Sequence, residues 1–247
     1  MRKIISLLLL LCAGTVQASE HDDLNTLYRI QLYRAAPGAL LEFIAINQAL
    51  EEQDFYQGWS PRSPFMARHS QGDHWDIMLI QPMLSYAAYF ATDKIGLRRA
   101  AHEKFAAPLN RLEAITSFKE DLFAAGPKLE QLAQQFKQME FLHIEIFYAL
   151  AGKKDELIAQ RRMENEYLKG VKRRPNELFV VDGGGDADVI TIGFYDSLQD
   201  FAKPHDLDSS ARDAVAKQVG FKGLDDISPY LRSLISAHHD TLAGVVR

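Results

Sequence analysis

The sequence predicts an α+β chain in which a strand–helix–hairpin–helix–strand unit is written twice, its two antiparallel sheets facing each other as a single-chain barrel. Three matched registers carry this prediction. Tyr28-Arg29-Ile30-Gln31-Leu32-Tyr33 and Leu142-His143-Ile144-Glu145-Ile146-Phe147 both alternate with the period of a half-buried strand. Phe65 to His69 and Leu178 to Asp182 each lead into a turn holding a Gly-Asp pair, Gly72-Asp73 and Gly185-Asp186. Ser117 to Ala124 and Ser236 to Ala243 close the two copies alike.

Taken in order, residues 1–18 read as a secretory signal. Met1-Arg2-Lys3 is a basic start, Ile4 to Leu11 an apolar run, and Val16-Gln17-Ala18 a small-residue end. The run is shorter than the roughly 20 residues a membrane span needs. Cleavage after Ala18 would make the chain periplasmic or secreted and would remove Cys12, its single cysteine. The bulky Leu11 before Cys12 argues against a lipidated cysteine. The rest could then form no disulfide and carry out no thiol chemistry. Without Arg2 and Lys3 the balance is 26 basic against 33 acidic residues, or −7, which argues against nucleic acid and anionic membranes as partners.

The first unit is expected over 19–126. After the opening strand, Ala35 stands over Ala149, Gly38 over Gly152, Glu42 over Glu156 and Ile44 over Ile158, and a helical pattern follows each glycine. The hairpins continue in Asp76 to Ile80 and Asp188 to Ile192. Ser85 and Ser197 then stand where a second helix would begin, with a favoured capping side chain. Ser117 to Ala124 and its partner are read as helix ends that lead into a last short strand. Residues 127–140, with Leu129, Leu132, Ala133 and Phe136 at helical spacing, predict a linker helix, and 141–247 the second unit.

On these residues the chain resembles the dimeric α/β-barrel superfamily of ferredoxin-like folds, and within it the NIPSNAP-like and stress-responsive branches. The residues are Tyr28 to Arg34 with Pro37-Gly38, and His143 to Phe147 with Gly152-Lys153. The resemblance implies a barrel between two ferredoxin-like sheets, here from one chain, and pairing of chains into a homodimer. It leaves activity open, since the superfamily holds monooxygenases, haem enzymes, isomerases and proteins with no known reaction.

Candidate chemistry follows from strand alternation. If Ile30, Leu32, Ile144 and Ile146 face the helices, then Arg29, Gln31, Tyr33, His143, Glu145 and Phe147 point between the sheets. Charged and polar groups there need partners, water or a ligand. One reading is an Arg29–Glu145 ion pair in a packed core of a non-catalytic binding protein. The other is a site for a small, partly apolar organic molecule. In it His143 and Glu145 would be the acid–base pair, Arg29 and Gln31 would orient the ligand, and Tyr33 and Phe147 would be walls. Acid–base or cofactor-free oxygenase chemistry would fit such a site.

His143, Glu145 and His239 are also candidate ligands for a divalent metal, and His143 or His239 for a haem, though their spacing matches no established motif. Arg161 to Tyr167 lies on the first helix of the second unit. Arg161–Asn165 and Arg162–Glu166 read as solvated pairs, with Asn165 and Tyr167 as alternative lining for the barrel mouth. Gly183-Gly184-Gly185-Asp186 lacks the spacing of a nucleotide loop and reads as a turn. Trp59 and Trp75 read as packing anchors, Trp59 also as a lid over a pocket.

Overall fold

A computed structural model describes residues 24–247, so the expected signal segment, Cys12 and the Ala18 cleavage site lie outside the described residues. The first half runs β1 (Thr26–Ala35), α1 (Leu40–Glu52), β2 (Phe65–Gln71), β3 (Ile77–Leu84), a one-turn α2 (Tyr86–Tyr89), α3 (Thr92–Lys104), α4 (Ala106–Ala114) and β4 (Thr116–Gly126). After α5 (Leu129–Gln138), the second half runs β5 (Phe141–Ala149), α6 (Lys154–Gly170), β6 (Glu177–Gly183), β7 (Val189–Tyr195), α7 (Leu198–Phe201), α8 (Ser209–Gln218), α9 (Ile227–Arg232) and β8 (Ile235–Val246). Among the described residues no helix is long and apolar enough to cross a membrane.

The eight strands close into one antiparallel barrel, β1-β3-β2-β8-β5-β7-β6-β4. Each half contributes the strand order of a ferredoxin-like sheet, β4-β1-β3-β2 and β8-β5-β7-β6. The sheets join edge to edge, β2 on β8 and β4 on β6. Closure leaves no sheet edge unpaired.

Local signals account for the elements. Gly38 and Gly152 turn the chain from β1 into α1 and from β5 into α6 at φ 81° and 74°, a region that costs L side chains energy. Ser85 and Ser197 cap α2 and α7, each accepting from the N–H three residues on, Ala88 and Asp200. The stretches Ser117 to Ala124 and Ser236 to Ala243 are not helix ends. They lie within β4 and β8, strands of 11 and 12 residues, because their ladders with β1 and β5 run nearly the full strand length.

The strands β1, β3 and β7 are buried on both faces along most of their length, and the inside of the barrel is apolar. Tyr28, Ile30, Leu32, Met78, Ile80 and Leu122 meet Leu142, Ile144, Ile146, Phe179, Ile190 and Ile192 there. This reverses the expected faces: Ile30, Leu32, Ile144 and Ile146 point between the sheets, and Arg29, Gln31, His143 and Glu145 point outward under the helices. The helix α5 packs one end of the barrel. Its Leu132 and Phe136 enter the core, and the Phe136 ring lies 4.7 Å from Phe65 and 5.2 Å from Phe194. Pro127 and Gln131 hold it in place, through Tyr28 Oη donating to the Pro127 carbonyl at 2.8 Å and Gln131 Nε2 donating to Glu177 Oε2 at 2.7 Å.

Candidate functional site

The outward faces of β1 and β3 roof a half-open cavity of about 600 Å³ in the first half, bordered by α1, the loop after it, α3, α4 and the start of β4. Arg29, Gln31 and Tyr33 enter it from β1, because residues two apart share a strand face. Gln81 joins them from β3, where it stands opposite Arg29 in the ladder. The rest of the wall is largely aromatic and aliphatic: Phe43, Leu50, Phe55, Tyr56, Trp59 and Leu109. Trp59 does line a pocket, with its indole N–H tied to the Phe55 carbonyl at 2.7 Å and its ring edge-on to Phe55.

Arg29 places a permanent positive charge in the cavity wall, with Lys119 also lining it. Its Nε and Nη2 donate to the two oxygens of Asp121 on β4, at 2.6 and 3.1 Å, a bidentate geometry that orients the guanidinium. Gln31 Nε2 donates to the Tyr33 hydroxyl at 2.7 Å. Burial pushes the Tyr33 and Tyr56 hydroxyls well above the usual range, so both stay neutral. Gln81 is 2% exposed, and its Nε2 has no hydrogen-bond partner among the described residues. A buried amide left in that state costs about 1–3 kcal/mol, which a ligand oxygen would relieve.

His102, on α3, also lines the cavity, its ring 5.3 Å from Phe55. Burial, and then the charges of Arg98 and Arg29, lower its pKa, so the imidazole is neutral at pH 7. Sequence reasoning missed His102 and Gln81. His102 sits on a helix with no buried face, and Gln81 in a strand otherwise read as plain hairpin. The only signal was the strand register, which places Gln81 beside Arg29.

The second half has the same layer filled with charge. Arg161 stands at the helix position of Asn47, Glu164 at that of Leu50, Glu145 at that of Gln31, and His143 at that of Arg29. Arg161 is 3% exposed, so it is a buried residue and not one of a solvated surface pair. It pairs with Glu164, its Nη1 lies 3.7 Å from Glu145 Oε2, and its guanidinium lies over the Phe147 ring at 4.8 Å. Thr191 Oγ1 donates to Glu145 at 2.9 Å, and Gln160 accepts from Arg161 Nε at 2.7 Å. Burial, with Glu145 near it, lifts the Glu164 carboxyl above its usual range against the pull of Arg161.

His143 Nε2 lies 3.4 Å from Asp240 on β8, the counterpart of Asp121. The expected Arg29–Glu145 pair does not form: each charge finds its partner inside its own half, because a closed apolar barrel separates them. His143 and Glu145 point outward on β5, whereas His239, opposite Ile146, lies on the barrel side of β8 and reaches Asp73. The three therefore do not converge on one ion. Nor do the residues around His143 fit a haem, since Asp240, the Phe201 ring at 5.1 Å and the Arg161 network fill that layer.

Asn165 and Tyr167 do not line the barrel mouth. The Asn165 amide ties α6 to Asn176 with two bonds of 2.8 Å, and Tyr167 packs with Val171, Ala216 and Phe221.

No protein-family model matches the sequence, and no curated protein matches it. Solved structures do match in fold. An anthrone oxidase-like protein superposes with a TM-score of 0.58 at 15% identity, covering 90% of this chain and 92% of that one. A putative monooxygenase from Fusobacterium nucleatum superposes with a TM-score of 0.55 at 8% identity, over 90% and 93%. Closed barrel, strand order and superposition together give this chain the ferredoxin-like α+β barrel fold that those proteins share.

Proposed function

We propose that the cavity of the first half binds a planar, oxygen-bearing aromatic molecule and supports its oxidation by O2 without a resident cofactor. The observation that carries this reading is the half-open cavity of about 600 Å³, in which a fixed cation, Arg29, and an amide with no partner among the described residues, Gln81, stand among aromatic walls. Concave, mostly apolar sites with a few placed polar groups are the common form of small-molecule site. The fold likeness to an anthrone oxidase-like protein and a putative monooxygenase supports the choice of chemistry.

In chemical terms, a neutral His102 removes a proton from the activated C–H of an anthrone-type substrate. Arg29 and Gln81 stabilise the oxygen on which the resulting charge is shared. The anion adds O2 to give a peroxide anion, which takes back the proton held by His102 to form the hydroperoxide, and this loses water to leave a quinone. One O2 is consumed and one water is formed for each CH2 converted to C=O. The acid–base role expected of His143 and Glu145 passes to His102, because the layer around that pair is filled.

The test is oxygen consumption with an anthrone-type phenol as substrate, alongside calorimetric binding of its quinone product. Arg29→Met and His102→Gln are each expected to lower kcat/KM at least about 100-fold. Product binding with no oxygen uptake would favour a non-catalytic binding protein, a reading that the closed, packed barrel interior also supports. No binding at all would remove both readings.

Three further parts of the proposal rest on sequence. The basic-apolar-small pattern of residues 1–18 supports export. The matched registers, with two halves of like strand order, support descent from a doubled unit of NIPSNAP-like kind. The resemblance supports pairing of two chains.

A further inference from the structure

A second cluster of chemically active side chains lies at the other end of the barrel from α5, where the β2–β3 turn meets β8. The turn residues Asp73 and His74 come from the first half and His239 from the second. Asp73 Oδ1 lies 2.6 Å from His74 Nδ1 and 3.0 Å from His239 Nδ1. From these observations we propose that Asp73, His74 and His239 form a binding site for a divalent transition metal, with zinc the best-matched ion. This goes beyond the cavity reading and does not depend on it.

Four features support the site. First, one carboxylate and two imidazoles are the donor set that zinc and its neighbours prefer, and three protein ligands leave a position open for water or a further group. Second, the three donor atoms already lie within 4.8 Å of one another. Ligands about 2.0 Å from a tetrahedral ion stand roughly 3.3 Å apart, so small rotations of two exposed rings suffice.

Third, the carboxylate is built in. The Asp73 side chain is 2% exposed, and its second oxygen accepts from the indole N–H of the fully buried Trp75 at 3.0 Å. That bond turns Oδ1 toward the two imidazoles, as outer partners orient ligands in metal sites. The Asp73 N–H is in turn held by His69 Nε2 at 3.2 Å, which sets the turn. Fourth, Glu120, on β4, is close enough to couple electrostatically to both Asp73 and His74. It adds a second negative charge beside a cation. The rings of His74 and His239 are half exposed and leave a path for the ion to enter.

Such an ion would bridge the two halves of the barrel at the β2–β8 seam. The experiment is calorimetric titration of the EDTA-treated full chain with zinc chloride, repeated with cobalt(II) and followed by its visible absorption. One ion per chain is expected, with a tetrahedral cobalt spectrum and an EDTA-reversible rise in Tm. His74→Gln, in an exposed turn, and His239→Gln should each weaken zinc binding about 100-fold or more, and Trp75→Phe about tenfold. His205→Gln, far along the chain in the second half, should leave it unchanged. No saturable binding in the wild-type protein would overturn the site, as would binding that survives intact in His74→Gln and His239→Gln.

Discussion

Arg29 on β1 and Asp121 on β4, diagonal neighbours across the ladder, form a two-bond pair at 2.6 and 3.1 Å, and His143 and Asp240 occupy the same two positions in the second half at 3.4 Å. The same strand geometry therefore holds a permanent cation in one half and a titratable one in the other. Burial raises the Asp121 carboxyl, but the bonds and charge of Arg29, with Lys119 beside it, outweigh that and hold it below the usual range. A carboxyl lowered on folding adds stability above its unfolded pKa, and that stability fades as pH falls through the folded value. Arg29→Met should cost about 1–3 kcal/mol at pH 7 and almost nothing at pH 2, measured by denaturant melts at both pH values.

His143 should show the opposite sign. Burial lowers its pKa, yet the Asp240 bond and the charges of Glu145, Asp240 and Glu164 win, so it lies above the ordinary imidazole value. Its contribution to stability is complete below the unfolded pKa of about 6.5 and is lost as pH rises through the folded value. Asp240→Asn should lower the His143 pKa in an NMR titration. A pKa that stayed in place would refute the pairing.

Arg161 contacts both Glu145 and Glu164 in the filled layer. Arg161→Met should therefore destabilise by about 3–5 kcal/mol, because two buried carboxyls lose their partner. Replacing the group as a whole, with Arg161→Asn, Glu164→Leu and Glu145→Gln to match Asn47, Leu50 and Gln31, should recover most of that loss. It should also open a second cavity, visible as an added binding site for an aromatic probe. Urea melts of single and triple variants decide between these outcomes.

Two glycines separate backbone strain from overlap. A Cβ on Gly38 would meet open space, so Gly38→Ala should cost only the price of positive φ, about 1–2 kcal/mol. At Gly72, with φ 122°, a Cβ would overlap the Asp240 carbonyl of β8. Gly72→Ala should cost at least about 3 kcal/mol and loosen the β2–β8 seam, read by hydrogen exchange at Ala243 and Gly244.

The element order was legible in the sequence because its signals are local. The glycine at each strand-to-helix turn, the serine caps and the Gly-Asp hairpin turns act within a few residues of themselves. The length of β4 and β8 was not legible, since Ser117 to Ala124 becomes a strand through its ladder with β1, some 90 residues earlier. For the site, Arg29, Gln31 and Tyr33 were visible as polar residues on one strand face, and the structure does bring them together. His102 and Gln81 were hidden because neither carries a motif, and they join the others only once α3 and β3 have folded around the cavity.

What the sequence alone determined is which residues share a face: alternation assigns Arg29, Gln31 and Tyr33 to one side of β1, and Ile30 and Leu32 to the other. Only the tertiary structure decided which side is the inside. Both faces of β1 are covered, one by the opposite sheet and one by helices, so burial alone cannot tell them apart. Solvation settles it: a closed barrel filled with apolar side chains has no room for charge, whereas the layer between strands and helices holds Asp121, Arg161 and a cavity.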